Sequence, residues 1–150
     1  MMRALRLLVT LGLLAGCAET SSMSTPVRYF PVEGRSDLPF SEAVQVGPML
    51  YLAGQLGTDS SGALVPGGIE AETRQCLENI RAVLERRGSS MDRVVKCTVM
   101  LADIGEWAAM NRVYVTFFRQ NLPARSALGV SGLARGARVE IECLALAGKS

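Results

Sequence analysis

The sequence contains no histidine. Histidine is the usual general base near neutral pH and the commonest metal ligand among side chains. Its absence excludes a Ser-His-Asp triad, a histidine general base and a histidine-liganded metal site. No other single feature of the composition removes as many classes of active site.

An excess of charge of one sign is also lacking. The chain has 16 basic and 14 acidic residues and no basic cluster. Removal of the first 16 residues, argued below, takes away Arg3 and Arg6 and leaves 14 charges of each sign. Because phosphate neutralisation dominates affinity for nucleic acids, we expect no nucleic-acid partner.

Cysteines are few and show no pairing pattern. There are four, and neither a CxxC motif nor zinc-site spacing occurs among Cys17, Cys76, Cys97 and Cys143. A disulfide framework and a metal site are therefore not expected. Cys76 falls on the apolar stripe of a predicted helix, and Cys97 and Cys143 fall inside predicted strands. We predict three buried small apolar residues, with a Cys97–Cys143 bridge as the alternative if the two strands are neighbours.

The longest apolar run is at the N-terminus. It covers residues 7–16, follows Arg3 and Arg6, and is too short to span a bilayer as a helix. Positive charge followed by such a run is typical of a secretory signal peptide, which we place at residues 1–16. The segment Leu14-Ala-Gly-Cys17 resembles a bacterial lipobox, so Cys17 is the predicted lipidation site.

Lipidation would anchor the protein to a membrane through buried acyl chains. Ala18 follows the cysteine where an aspartate would indicate retention in the inner membrane. We therefore predict an outer-membrane lipoprotein that faces the periplasm. The alternative is that translation starts at Met23, which gives a cytoplasmic protein.

The remaining chain suits one domain with one core. Residues 17–37 are predicted to be the lipidated N-terminus and a tether, because Ala18–Thr25 is small and polar. A first edge strand at Val27–Phe30 is also considered. Residues 38–150 form the predicted domain.

The predicted elements follow the order strands, helix, strand, helix, strands. This order favours an α+β fold in which both helices pack on one face of the sheet. On the strand Arg93–Leu101 we place Val95 and Cys97 towards the helices. Val94 and Met100 then lie on the second, half-apolar face, which needs a partner. The other predicted ranges are a hairpin of Phe40–Gln45 and Met49–Ala53, a helix Ile69–Arg87 ended by Gly88, a second helix Gly105–Gln120 capped by Asp103, and a last strand Val139–Leu146.

The stretch Pro123-Ala-Arg-Ser126 holds the most informative charge. Pro123 closes the preceding helix and starts an extended segment. Arg125 carries a planar guanidinium group that suits a carboxylate. Glu140 and Glu142 share one face of the last strand, because strand side chains alternate. These residues indicate either a site for a small acid or an ordinary solvated ion pair.

Four segments together resemble the RidA/YjgF family. They are Pro123–Ser126, Val139–Glu142, Gly54–Gln55 after a strand, and Asn111 followed by Tyr114, Phe117 and Phe118. The similarity runs from about Leu38 to Ala147. Members are trimeric enamine and imine deaminases, once described as endoribonucleases. The resemblance implies a chorismate-mutase-like fold with a mixed sheet, a homotrimer around a central barrel, a small 2-imino or 2-oxo acid as ligand, and no cofactor or metal.

The resemblance also implies roles for individual residues. Arg125 would hold the substrate carboxylate, and Glu140 would position and polarise the water that attacks the imine carbon. Backbone groups of Gly54 and Ala127 would complete the pocket. Asn111 is predicted to bond a nearby backbone group and so to hold a loop beside Arg125.

Three positions depart from the family pattern. Phe40 stands where a tyrosine is typical, Ala53 replaces a serine, and Ala127 replaces a cysteine. The pocket is therefore more apolar, and a non-catalytic periplasmic binder of small carboxylates is the alternative function. RNA cleavage is disfavoured by the neutral charge and the missing histidines. The predicted substrate-binding residues are Arg125, Gly54, Asn111, Ala127 and Phe40.

Overall fold

A computed structural model describes residues 25–35 and 37–148. The predicted signal peptide, Cys17, residues 18–24 of the predicted tether and the alternative start at Met23 lie outside these residues. Within them, no helix combines the length and the apolar character needed to cross a bilayer.

The described residues form a mixed sheet and two α-helices. The bounds are β1 Val27–Pro31, β2 Ser41–Val46, β3 Met49–Leu52, β4 Gln55–Leu56, α1 Gly68–Arg86, β5 Val94–Leu101, α2 Trp107–Tyr114, β6 Ala124–Gly129 and β7 Val139–Leu146. The strand order is β1-β2-β3-β7-β5-β6, with β4 also paired to β7. β6 runs parallel to β5, and the other pairs are antiparallel. The predicted α+β architecture is confirmed.

Strand β1 belongs to the sheet and not to a tether. It pairs antiparallel with β2, with Val27 opposite Val46. The predicted tether, residues 17–37, therefore overlaps the folded part of the chain from Val27 onwards. The early edge strand considered at Val27–Phe30 is present.

The core lies between the helices and one face of the sheet. Helix α1 contributes an apolar stripe that includes Leu77, Ile80 and Leu84, all fully buried. The facing residues of β7 include Val139 and Ile141, also fully buried. Burying one such side chain contributes about 1.5–3 kcal/mol. Gly88, at φ 68°, follows the end of α1, where an L side chain would be strained.

A β-bulge changes the predicted faces at the start of β5. The register with β7 shifts between Val94 and Lys96. Strand β5 has one extra residue at this bulge, and the alternation of its side chains is interrupted there. Val94 therefore points into the core, and Val95 is 40% exposed. The prediction that Val95 faces the helices and Val94 faces away from them is therefore wrong. Beyond the bulge the alternation is as predicted, with Cys97, Val99 and Leu101 buried.

Helix α2 is shorter than the predicted range Gly105–Gln120. A 3₁₀ turn precedes it at Ile104–Glu106 and another follows at Val115–Phe117. The predicted cap lies on the preceding 3₁₀ turn and not on α2. The Asp103 side chain accepts a hydrogen bond from the backbone N–H of Gly105 at 2.8 Å, whereas α2 begins after Glu106 without a side-chain cap. At the other end the Thr116 hydroxyl donates to the carbonyl of Val113, which competes with the helical pattern.

Two of the three cysteines predicted to be free are joined. Cys97 and Cys143 form a disulfide between β5 and β7, with Cα atoms 4.2 Å apart. They are direct partners in the register, although 46 residues separate them in sequence. Sequence spacing could not show this pairing, because strand order brings the two residues together. Cys76 is free and buried as predicted, and its thiol donates to the carbonyl of Gln55 at 3.2 Å.

Candidate functional site

Arg125 lies on β6 with its side chain on the helix side of the sheet. Its Nη1 atom donates to Oδ1 of Asn111 at 2.8 Å. The guanidinium carbon is 4.6 Å from the ring centroid of Tyr114 and 5.4 Å from that of Trp107. All three neighbours belong to α2, on which they share one face through their i, i+4 and i+7 spacing. One helix face therefore surrounds this guanidinium with an amide and two aromatic rings.

Asn111 does not take the backbone partner that the sequence predicts. Its amide oxygen accepts directly from Arg125, so it orients the guanidinium and not a loop. An arginine side chain has five N–H donors. In residues 25–35 and 37–148, Asn111 is its only hydrogen-bond partner, and none of the ion pairs there includes Arg125. Donor capacity therefore remains for a bound anion.

Glu140 lies near the start of β7, on the sheet face that the helices do not cover. It shares this open face with Glu142, while the residue between them is buried. Burial raises the pKa of Glu140, and the negative charge of Glu142 raises it further. A carboxylate with a raised pKa binds a proton more strongly than an ordinary one and is therefore the better proton acceptor.

Gly54 permits the observed position of Glu140. A Cβ atom at residue 54 would lie 2.9 Å from the carboxyl carbon of Glu140 and would overlap one of its oxygens. A side chain at residue 54 would therefore displace the Glu140 carboxyl group, and glycine allows this group to lie against the backbone. Gly54 also lines a cavity of about 230 Å³ together with Phe40, Gln55 and Arg135. The structure thus brings Gly54 close to Glu140 and places Phe40 along the same cavity.

The predicted residues fall into two groups on opposite faces of the sheet. Arg125 pairs in register with Cys97, which faces the helices, and Glu140 pairs with Met100, which faces the other way. Ala127 follows Arg125 by two residues, so it lies on the helix side, half-buried against the core. Within one subunit Arg125, Asn111 and Ala127 are therefore together, whereas Glu140 is not with them.

Sequence reasoning missed two residues of this region. Trp107 falls within the predicted second helix without a predicted role at the site, yet it is 40% exposed and lies against Arg125. Its i, i+4 spacing from Asn111 was the available signal. No sequence signal indicated Arg135. This residue lines the same cavity as Gly54 and adopts a left-handed φ of 61°, which is unusual for a residue other than glycine.

Known proteins resemble this chain over most of its length. Residues 34–147 match the family described as Endoribonuclease L-PSP. A mouse 2-iminobutanoate/2-iminopropanoate deaminase is 48% identical over 111 residues, 73% of this chain and 82% of the relative. A RutC family protein of Pyrococcus horikoshii is 44% identical over 71% of this chain and 86% of its own length.

Solved structures agree with the sequence relatives. RidA from an Antarctic Psychrobacter has a TM-score of 0.70 at 35% identity, covering 82% of this chain and 98% of that one. Escherichia coli TdcF with bound serine has a TM-score of 0.69 at 29% identity, covering 75% and 90%. The mixed sheet with two helices is the chorismate-mutase-like fold that the resemblance implied. The chain therefore belongs to the RidA/YjgF family, described also as Endoribonuclease L-PSP.

Proposed function

We propose that this protein hydrolyses 2-imino acids, and the enamines in equilibrium with them, to 2-oxo acids and ammonia. The observation that carries the proposal is the guanidinium of Arg125, oriented by Asn111 and bound to no carboxylate in the described part of the chain. The mouse relative is named for deamination of 2-iminobutanoate and 2-iminopropanoate. Serine, bound in the E. coli homologue, is likewise a small molecule with an α-carboxylate.

Because Arg125 and Glu140 lie on opposite faces of the sheet, we propose that the site is shared between subunits. The open face of the sheet exposes apolar side chains, among them Tyr51 (45%), Leu128 (42%) and Leu146 (37%). An apolar sheet face of this kind favours burial against other copies of the chain. In the proposed trimer, the β6 edge of one subunit brings Arg125 to the Gly54 and Glu140 side of its neighbour.

The proposed reaction needs three functions. Arg125 binds the substrate carboxylate through its remaining N–H donors and fixes the imine carbon in place. Glu140 accepts a proton from a water molecule as the water oxygen bonds to that carbon. With a protonated imine as substrate, this addition gives a neutral amino alcohol, and its nitrogen takes the proton back from Glu140. The carbon–nitrogen bond then breaks, ammonia leaves, and the hydroxyl proton passes to Glu140 as the carbonyl forms. No metal is required, because the imine carbon is already electrophilic.

The test is the decay of 2-iminopropanoate generated in place by an amino-acid oxidase. The wild-type protein should accelerate the decay, and Arg125→Ala should abolish the acceleration while the fold is retained. Arg119→Ala, at an exposed arginine of the segment before β6, is the matched control and should behave as wild type. Equal decay rates with and without excess wild-type protein would reject the proposal.

A non-catalytic binder of small carboxylates is the second candidate. It is favoured by Phe40, Ala53 and Ala127, which leave the site without the hydroxyl and thiol groups typical of the family. This function predicts heat from 2-oxo acids in calorimetry that depends on Arg125, together with no acceleration of imine decay. Binding with acceleration supports the enzyme, and absence of both contradicts both candidates.

We further propose that Cys17 is lipidated and that the mature protein faces the periplasm from the outer membrane. The Cys97–Cys143 disulfide supports this location, since disulfides persist in oxidising compartments and are rare in the cytosol. Globomycin should block processing of the precursor, and Cys17→Ser should prevent acylation. A protein that begins at Met23 and is produced unchanged in the presence of globomycin would contradict the proposal.

A further inference from the structure

We infer that Trp107 and Tyr114 are positioning residues that hold Arg125 ready for a ligand carboxylate, and that Trp107 forms an exposed wall of this site. The inference rests on the proposed function, because it assigns a carboxylate to Arg125. It extends the site by two residues that neither the sequence motifs nor the names of the relatives assign.

The contacts of Arg125 come almost wholly from one face of α2. The rings of Tyr114 and Trp107 lie 4.6 and 5.4 Å from its guanidinium carbon, both within the range of a cation–π interaction. Asn111, which lies between these two aromatic residues in the sequence, accepts a hydrogen bond from one N–H group of Arg125. Aromatic faces attract the cation but accept none of its in-plane hydrogen bonds, so they fix the guanidinium without occupying its donors.

Burial distinguishes the two rings. Tyr114 is 3% exposed and packs at a tilt against the Phe118 ring, and its hydroxyl has no hydrogen-bond partner in the described part of the chain. Burial raises the pKa of this hydroxyl to about 12, so the side chain is neutral and offers Arg125 a ring and not a counter-ion. An ordinary role in the hydrophobic core therefore explains the position of Tyr114 well.

The same explanation fails for Trp107. It is 40% exposed at the N-terminal end of α2, so burial in the core of its own subunit does not account for its large ring. Its contact is with the cation that the proposed function assigns to the substrate. A solvent-accessible indole beside that cation can touch a small ligand bound there. Its position is therefore explained by the site and not by the core.

The physical consequence is pre-organisation. A free arginine side chain samples many rotamers, and ordering it on binding weakens affinity. Rings that hold the guanidinium beforehand remove part of that penalty. Loss of the Trp107 ring should thus weaken substrate binding and leave the chemical step, which depends on Glu140, largely unaffected.

The kinetic test compares Trp107→Leu with Trp107→Phe in imine decay. Loss of one cation–π contact should raise KM by up to about tenfold in Trp107→Leu at nearly constant kcat. Trp107→Phe should restore most of the lost affinity, because it returns a ring. Tyr29→Leu, at an aromatic residue that is 70% exposed, is the control for loss of a surface ring.

A second readout does not depend on turnover. Trp107 is the only tryptophan of the chain, so intrinsic fluorescence reports on this position alone. Titration with 2-oxobutanoate should give a saturable fluorescence change in the wild type and none in Arg125→Ala.

The outcomes separate the inference from the proposed function. If Trp107→Leu keeps the wild-type KM while Arg125→Ala is inactive, the positioning role is wrong and the deaminase proposal stands. If the wild type shows no turnover but its saturable fluorescence change depends on Arg125, the deaminase proposal fails and the carboxylate site stands. A fluorescence change that persists in Arg125→Ala overturns the inference. So does a loss of kcat in Trp107→Leu that is as large as the rise of KM.

Discussion

At the residue scale, the charge of Arg125 is explained by what surrounds it. A structural arginine in a folded protein usually meets a carboxylate, as Arg112 meets Glu70 and Arg138 meets Glu106 here. Arg125 instead meets an amide and two rings, which orient a cation without neutralising it. Such an arrangement leaves the positive charge available to an outside anion.

Glu140 shows the complementary behaviour for an acid. Only the ionised carboxylate can take a proton from water, so we expect kcat/KM to fall as the pH drops through the raised pKa of Glu140. Glu142→Gln removes the negative charge that raises this pKa in addition to burial. The acidic limb of the profile should therefore move to lower pH.

The measurement is the pH dependence of kcat/KM for imine decay, corrected at each pH for the uncatalysed rate. Glu85→Gln, at an exposed position of α1, is the control for loss of one surface charge. An acidic limb that stays in place in Glu142→Gln would show that Glu140 is not the titrating group.

At the scale of elements, the order of strands and helices could be predicted, and local deviations could not. The amphipathic stripe of α1 and the alternation of β7 follow from residue periodicity, and both are present as predicted. The bulge at Val94 and Val95 depends on the register with β7, which periodicity does not contain. The same limit left the Cys97–Cys143 bridge only an alternative, which the structure confirms, and it hid the separation of Arg125 from Glu140. Both depend on which strands are neighbours.

The disulfide should contribute to stability because it closes a loop of 46 residues in the unfolded chain. Loop-closure entropy for that length corresponds to about 4 kcal/mol of the free energy of unfolding. We expect urea unfolding in the presence of a strong reductant to shift to clearly lower midpoints than unfolding of the oxidised protein.

Alkylation supplies the independent check on this bond. When the oxidised protein is unfolded without reductant, Cys76 should be modified while Cys97 and Cys143 are protected. Modification of all three in protein purified from the periplasm would contradict both the bond and its use as support for that location.

At the scale of the whole molecule, the sheet separates the cation from the acid. Arg125 lies beneath α2 at the β6 edge, and Glu140 lies on the open face beside Gly54. One subunit therefore cannot join them, whereas closed cyclic symmetry repeats the same contact around a ring and builds each site from two neighbours. In the proposed trimer, the half-apolar open face would supply the surface for that contact.

This arrangement predicts complementation between inactive variants. Arg125→Ala and Glu140→Gln should each be inactive alone. After the two are unfolded together and refolded, some interfaces combine Arg125 from one variant with Glu140 from the other. Random mixing in a trimer makes about a quarter of the interfaces intact, so about a quarter of the wild-type activity should return. Variants that are refolded separately and then mixed without subunit exchange should stay inactive. If jointly refolded mixed oligomers, verified as such, are also inactive, the site lies within one subunit.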